Sequence, residues 1–183
     1  MVEGTDKLDN NLEKANKAFK YYNMVYLVFF KSNKQDAYLS DALGKNDVNA
    51  VEQNKNALLK FAEEGLKKLD TLKSYSGDNS LKTTCHQFLE FYKNEASVKI
   101  PILINFYLKK EAFDKTKAAF DAKSQQDRTR ADVDQYNKTL NDYNKSVAEF
   151  NTTNQELAKK SGVLIESWNR TVQLFLDKHV PKK

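Results

Sequence analysis

Glycine and proline are scarce in this chain, five and two among 183 residues. Few positions can therefore adopt positive φ or interrupt a helix, and the chain has few places to turn. It must be built from a small number of long elements. A single cysteine, Cys85, excludes an internal disulfide. That thiol and two histidines, His86 and His179, cannot make a zinc site without carboxylates. The Glu-x-x-His pairs of di-iron bundles do not occur. Hydrophobic runs are short as well. The longest, Met24 to Phe30 and Ile100 to Leu108, fall well short of the roughly 20 residues that span a bilayer. There is no glycine-rich phosphate loop, zinc-finger spacing, Gly-x-Ser-x-Gly elbow or basic-aromatic nucleic-acid signature. The opening stretch, "MVEGTD", contains no apolar signal region.

What is present is a charged, aromatic-bearing chain. Aromatics at 11% argue against disorder despite a mean hydropathy of -0.74. The net charge is +5, with both signs mixed along the sequence, which describes a solvated surface rather than a nucleic-acid face. The length suits one domain over 1–183 with a sizeable core.

Four helical segments follow from three-and-four spacing. The first, from Thr5 to Leu43, places Leu8, Leu12, Ala15, Phe19, Tyr22, Tyr26 and Phe29 on one face. Thr5 or Asp6 can cap its start, and Gly44 suits a left-handed exit. The second, from Asp47 to Ser74, carries Val48, Val51, Leu58, Ala62, Gly65, Leu69 and Leu72. Gly65 on that apolar face reads as a point of close helix packing, with a bound ligand as the alternative. "SYSGDNS" is the clearest turn, with Ser80 available to cap the third segment. The third segment continues through Leu81, Cys85, Phe88 and Tyr92, then Phe106, Phe113 and Phe120. Pro101 predicts a kink or break near Val98 to Ile100. After a polar connection at 126–130, the fourth segment repeats every seven residues through Tyr136, Tyr143, Phe150, Leu157 and Leu164, with Trp168 and Phe175 beyond. Asn154 and Ser161 fall on its seam, where they fix register, meet partners across the core or line a pocket. The simplest arrangement is an all-α, up-down-up-down antiparallel four-helix bundle with helix three kinked near Pro101.

Chemistry is read mostly by exclusion. Cys85 and His86 are adjacent, and neighbours on a helix point about 100° apart, so they do not form a thiolate–imidazole pair. Cys85 shares the register of Leu81, Phe88 and Tyr92 and is expected in the core. Asp132 and Asp134 sit by a helix start, where negative charge favours the dipole. No catalytic, metal-binding or cofactor-binding residue is assigned, and no cofactor is expected. The one expected ligand cleft is a gap opened by the Pro101 kink and lined by Ile100, Pro101, Ile102, Phe106 and Trp168.

Two stretches carry a family resemblance. "LKKLDTLKSYSGDNSLKTTCHQFLEFYKNEASVKIPILI" resembles the middle of a leptospiral-type family of small helical surface lipoproteins of double-membraned bacteria. Shared features are a Lys-rich amphipathic helix, the Gly77-Asp78 turn and a helix bearing "FLEFYK". "ADVDQYNKTLNDYNKSVAEFNTTNQELAKKSGV" is similar to the family's last helix. Here Trp168 to Lys183 extends past the usual end, and no lipid-accepting cysteine is visible. The family has no established catalytic residues and has no assigned role. The resemblance implies an exported helical protein whose precursor carries a signal peptide ending in a cysteine that takes a lipid anchor. The expected function is a non-enzymatic extracytoplasmic binding or structural module, as monomer or weak dimer, engaging a protein or envelope component. A ligand-sensing domain of an extracytoplasmic receptor and a cytosolic helical adaptor are the alternatives.

Overall fold

A computed structural model of the chain describes residues 2–181, with side chains from residue 7 onward. Helix α1 runs Val2–Gly44, α2 Val48–Thr71, α3 Ser80–Asn94, α4 Ile100–Asp121 and α5 Arg130–His179. A π-helical turn, Glu95–Lys99, joins α3 to α4, so these two act as one long rod. Four rods with three turns give the expected antiparallel bundle in chain order. At 50 residues, α5 spans about 75 Å.

The helix ends differ from expectation in detail. Helix α1 begins at Val2, upstream of Thr5 and Asp6, whose side chains lie outside the described residues. Gly44 stays within the helix, and the left-handed residue is Asn46 (φ 55°). Asp47 then caps α2 by accepting from Ala50 N. In the second turn Gly77 has φ 80° and Ser76 has φ 49°. Ser80 is already helical. Asp78 Oδ1 accepts its N–H at 2.9 Å instead. Helix α5 starts with a capping box that the sequence reading missed, in which Thr129 and Asp132 each accept from the other's backbone amide.

The core forms where α1, α2, α3 and the second half of α5 meet. Tyr92, Phe88, Phe175, Leu58, Leu69 and Ile100 are among its fully buried side chains. Burying each such group stabilises the fold by about 1.5–3 kcal/mol relative to exposure. Helices α1 and α3 touch across the bundle diagonal. Phe29 meets Phe88 edge-on at 4.9 Å and stacks on Trp168 at 4.5 Å. Gly65 lets α2 pack closely against both α1 and α3, since a Cβ there would lie 2.8 Å from Leu89 Cδ1 and 3.1 Å from Val28 Cγ1.

The expected stripe of α1 is displaced. Leu8, Leu12 and Phe19 are exposed, while Ala18, Tyr21, Val25, Val28, Ser32, Leu39 and Ala42 are buried. The reason lies in "YYNMVYLVFF", which is apolar around most of the helix circumference. Periodicity alone does not select a face there, and contacts with α2 and α3 do.

Past the end of α1, marked by the Tyr107 hydroxyl donating to Leu43 O at 3.1 Å, α4 and α5 continue as a two-helix arm. Phe106 packs on Phe150, Phe113 on Tyr143 and Phe120 on Tyr136, with centroids 4.4, 5.4 and 4.8 Å apart. These are the seven-residue repeats of the third and fourth segments meeting ring against ring.

Candidate functional site

Pro101 disturbs its helix as expected, but by widening a turn and leaving the chain helical. The Ile100 amide reaches back five residues to Glu95 O, the bond that defines a π turn. Proline lies just beyond, in the first turn of α4, where its missing N–H is tolerated. The wider turn also solves a packing problem. Tyr92, Ala96, Ile100 and Ile104 are spaced by four, and each step of four over-rotates an α-helix by about 40°. With the π turn inserted, all four are buried.

The same turn holds Glu95 inside the bundle, only 7% exposed. Glu95 and Asp36 of α1 line the same cleft, and their carboxyls influence one another. The pairing follows from register. Asp36 lies seven residues after Phe29, and Glu95 seven after Phe88. Helices α1 and α3 run parallel, so the level at which Phe29 meets Phe88 repeats two turns later as a pair of carboxyls. Burial raises the proton affinity of both groups, and the charge of Asp36 raises that of Glu95 further. Among the described residues no lysine, arginine or histidine forms an ion pair with either. Glu95 Oε2 is buried without a hydrogen-bond partner. One turn away the Tyr92 hydroxyl accepts from Asn33 Nδ2 at 2.9 Å.

This carboxyl pair forms part of the wall of a cleft of about 240 Å³ between α1, the π turn and α5. Ser40 on α1 and Asn154 and Ser161 on α5 add polar groups, while Leu43, Phe91 and Leu157 supply apolar ones. Asn154 and Ser161 are the two polar seam residues that stand out in the sequence of α5.

The residues expected to line a cleft at Pro101 do not come together. Ile100 is sealed in the core, Pro101 faces solvent, and Phe106 is stacked on Phe150 in the arm. Trp168 packs on Phe29 at another level of the bundle. Ile102 alone borders a shallow groove, with Lys99 and Glu156. The cleft that does form is lined by Glu95, at the start of the π turn, and not by Pro101.

Cys85 is fully buried, its Sγ 3.9 Å from Val25 O, and burial pushes its thiol up to about 12. His86 lies on the outer side of α3 beside Lys82 and Gln87. The other histidine belongs to a separate cluster at the far end of the bundle. His179 Nε2 and Lys178 Nζ each lie 2.9 Å from Asp78 Oδ2, tying the end of α5 to the α2–α3 turn. Tyr75 and Phe175 pack against the His179 ring at 5.0 and 4.7 Å. Burial acts against the Asp78 charge, but hydrogen bonds from Ser80, His179 and Lys178 prevail and hold the carboxyl well below the usual range. Asp78, Lys178 and His179 are engaged with one another, so the cluster reads as a latch; the Tyr21 hydroxyl, whose ring packs on Tyr75 and Phe175, is buried without a hydrogen-bond partner.

Among the described residues no group of three or more His, Cys, Asp or Glu side chains is placed to hold a metal ion. Comparison of the chain with protein-family models, curated proteins and solved structures finds no match, so the site rests on its own geometry.

Proposed function

We propose that this chain is a non-enzymatic extracytoplasmic binding module whose ligand enters the cleft between α1, the π turn and α5. The observation that carries the reading is Glu95. A carboxyl that is 7% exposed, with one oxygen lacking a partner, is costly to maintain in a core. Here it borders a cleft that has polar groups on its opposite wall. A π turn at this point fits the reading, since single π turns in α-helices recur at functional sites. Support for export comes from the resemblance of 66–104 and 131–163 to helices of small surface lipoproteins. Among the described residues no helix is long and apolar enough to cross a membrane. In this reading a lipid anchor holds the bundle at a membrane surface.

The test is a fragment library titrated onto isotope-labelled protein and followed by amide NMR. Saturable shifts clustered at Asp36, Glu95, Asn154 and Ser161 are expected. A library that leaves these amides unmoved overturns the assignment of the cleft. Export is checked separately, by fractionating cells that express the full native gene and weighing the mature protein for a diacylglyceryl group.

A further inference from the structure

We propose that this chain pairs with a second copy of itself through the outer face of α1, antiparallel, about a two-fold axis at the level of Lys17. Leu8, Leu12 and Ala15 of one copy lie against Tyr26, Tyr22 and Phe19 of the other. The surface is separate from the cleft, and the inference does not depend on the binding reading above.

The face is exposed and free of charge. Helix α1 turns Ala18, Tyr21 and Val25 into the core. About a third of a turn round the helix, a second sector carries those six apolar and aromatic side chains and the amides of Asn16 and Asn23. The six charged residues between 7 and 26 all lie outside it. Leu8, Leu12 and Phe19 are 67%, 59% and 42% exposed. A long exposed apolar stripe marks a contact surface. Two-fold pairing lays a patch on itself, so a charged patch repels its copy and this neutral one does not. For the same reason the stripe offers a nucleic acid or an anionic surface no attraction. The stripe is also complementary to itself. Its spacing alternates four and three, as in a coiled-coil seam, with an aliphatic first half and an aromatic second half. A two-fold axis at residue 17 sets each aliphatic residue opposite a ring, and the smallest, Ala15, opposite Phe19. Parallel pairing instead leaves a gap at Ala15 and crowds Phe19 against its copy. Tyr22 and Tyr26 are already stacked at 5.6 Å, so that half of the seam is formed before pairing. The level of the contact fits as well. Tyr75, in the turn between α2 and α3, donates to Lys14 O at 3.4 Å. Leu8 and Leu12 come before that level, where α1 runs on past its own turn, and the second copy supplies the surface they lack. Pairing over 8–26 covers about 27 Å of helix and removes on the order of 1,000 Å² from water over both copies. That is short of the roughly 1,200 Å² at which stable complexes begin, so the pair is weak and reversible.

The experiment is sedimentation equilibrium of the full chain from about 1 μM to about 1 mM. The apparent mass should rise from 21.1 kDa toward twice that value, with a Kd on the order of 100 μM. Phe19→Glu and Leu12→Glu each place a charge in the seam and should weaken pairing at least about tenfold. Both positions are exposed, circular dichroism establishes that the variants are folded, and either one that folds suffices. Nitroxide labels on Asn16→Cys and Lys34→Cys read the direction of pairing, and Cys85 is fully buried and does not compete for the label. Antiparallel pairing brings the two labels at 16 within about 20 Å and holds those at 34 about 50 Å apart, whereas parallel pairing brings both sets close. A mass of 21.1 kDa at every concentration, a dimer that the charge variants leave intact, or close labels at 34 each overturns the proposal. Flotation with phosphatidylcholine–phosphatidylglycerol vesicles tests the competing occupant. A chain that stays monomeric and floats with the vesicles, through a contact that Phe19→Glu abolishes, assigns the face to a lipid surface and overturns the pairing.

Discussion

Glu95 shows how one residue can oppose the stability of the fold that contains it. Its ordinary carboxyl value is 4.5, and in the folded chain burial and the Asp36 charge raise it to about 8. The folded state therefore keeps its proton to higher pH than the unfolded chain does. The favourable contribution is complete below pH 4.5 and is lost as pH rises from there toward 8. Asp36 shifts in the same direction, driven by burial. Ser40 on α1 and Asn154 and Ser161 on α5 line the cleft with the pair, the Tyr92 phenol lies one turn away, and among the described residues no basic side chain forms an ion pair with Asp36 or Glu95. Glu95→Gln should accordingly flatten the stability profile. At pH 8 the variant should be the more stable by about 1–2 kcal/mol, and near pH 4.5 the two should be nearly equal. Urea unfolding across this range measures the difference. A constant gap between wild type and variant would mean that Glu95 does not titrate in the native state.

Helix α5 is the element whose sequence and structure agree most closely, and its start can be perturbed without touching the core. The Thr129–Asp132 box satisfies two amides that an uncapped helix leaves without partners, and Lys123 adds an ion pair to Asp132 at 2.7 Å. Thr129→Ala should cost about 1 kcal/mol and act on the arm, where the first turns of α5 pack on α4 and on the connection before it. Faster amide exchange over 130–140, with no change around Phe29 and Phe88, is the expected pattern. Exchange that rises equally throughout would show that the arm and bundle unfold as one unit. Helix α1 behaves in the opposite way. Its apolar residues surround the helix in the 21–30 stretch, so Leu27 and Phe30 remain exposed where a narrower stripe would have been covered. The third rod lies between these cases. Pro101 marks the disturbance, but the spacing by four of Tyr92, Ala96, Ile100 and Ile104 determines that it becomes a π turn.

For the molecule as a whole, the two ends are held by different means. Rings between α4 and α5 close the arm, and the Asp78 latch closes the opposite end. Asp78 has a side chain only 9% exposed and a folded-state pKa held below its ordinary value of 3.8. A depressed carboxyl contributes stability that is present above its unfolded value and is lost as pH falls through the folded one. Asp78→Asn should therefore destabilise the protein by about 2 kcal/mol at pH 7 and by much less near pH 2. Thermal melts at the two pH values test this, and an equal loss at both would assign the cost to the turn backbone rather than to the charge. Together with Glu95, the latch predicts a stability maximum on the acid side of neutrality, with Asp78 limiting the acid side and the carboxyl pair the alkaline side.

The sequence by itself determined the class of the fold, the number of rods, the turn at Gly77 and Asp78, the heptad face of α5 and the burial of Cys85. Each of these depends on spacing within a single helix or on the conformational range of one residue, so it can be read locally. Part of the cleft was also legible, since Asn154 and Ser161 interrupt an apolar seam. A carboxyl seven residues after each core phenylalanine was a further signal, but it gains meaning only once Phe29 and Phe88 are known to touch. That contact, the face that α1 buries, the form of the break before Pro101 and the meeting of Asp78 with His179 were decided by the tertiary structure alone. They join residues tens of positions apart in sequence, and helical periodicity fixes a residue's direction around its own axis without fixing which helix lies there.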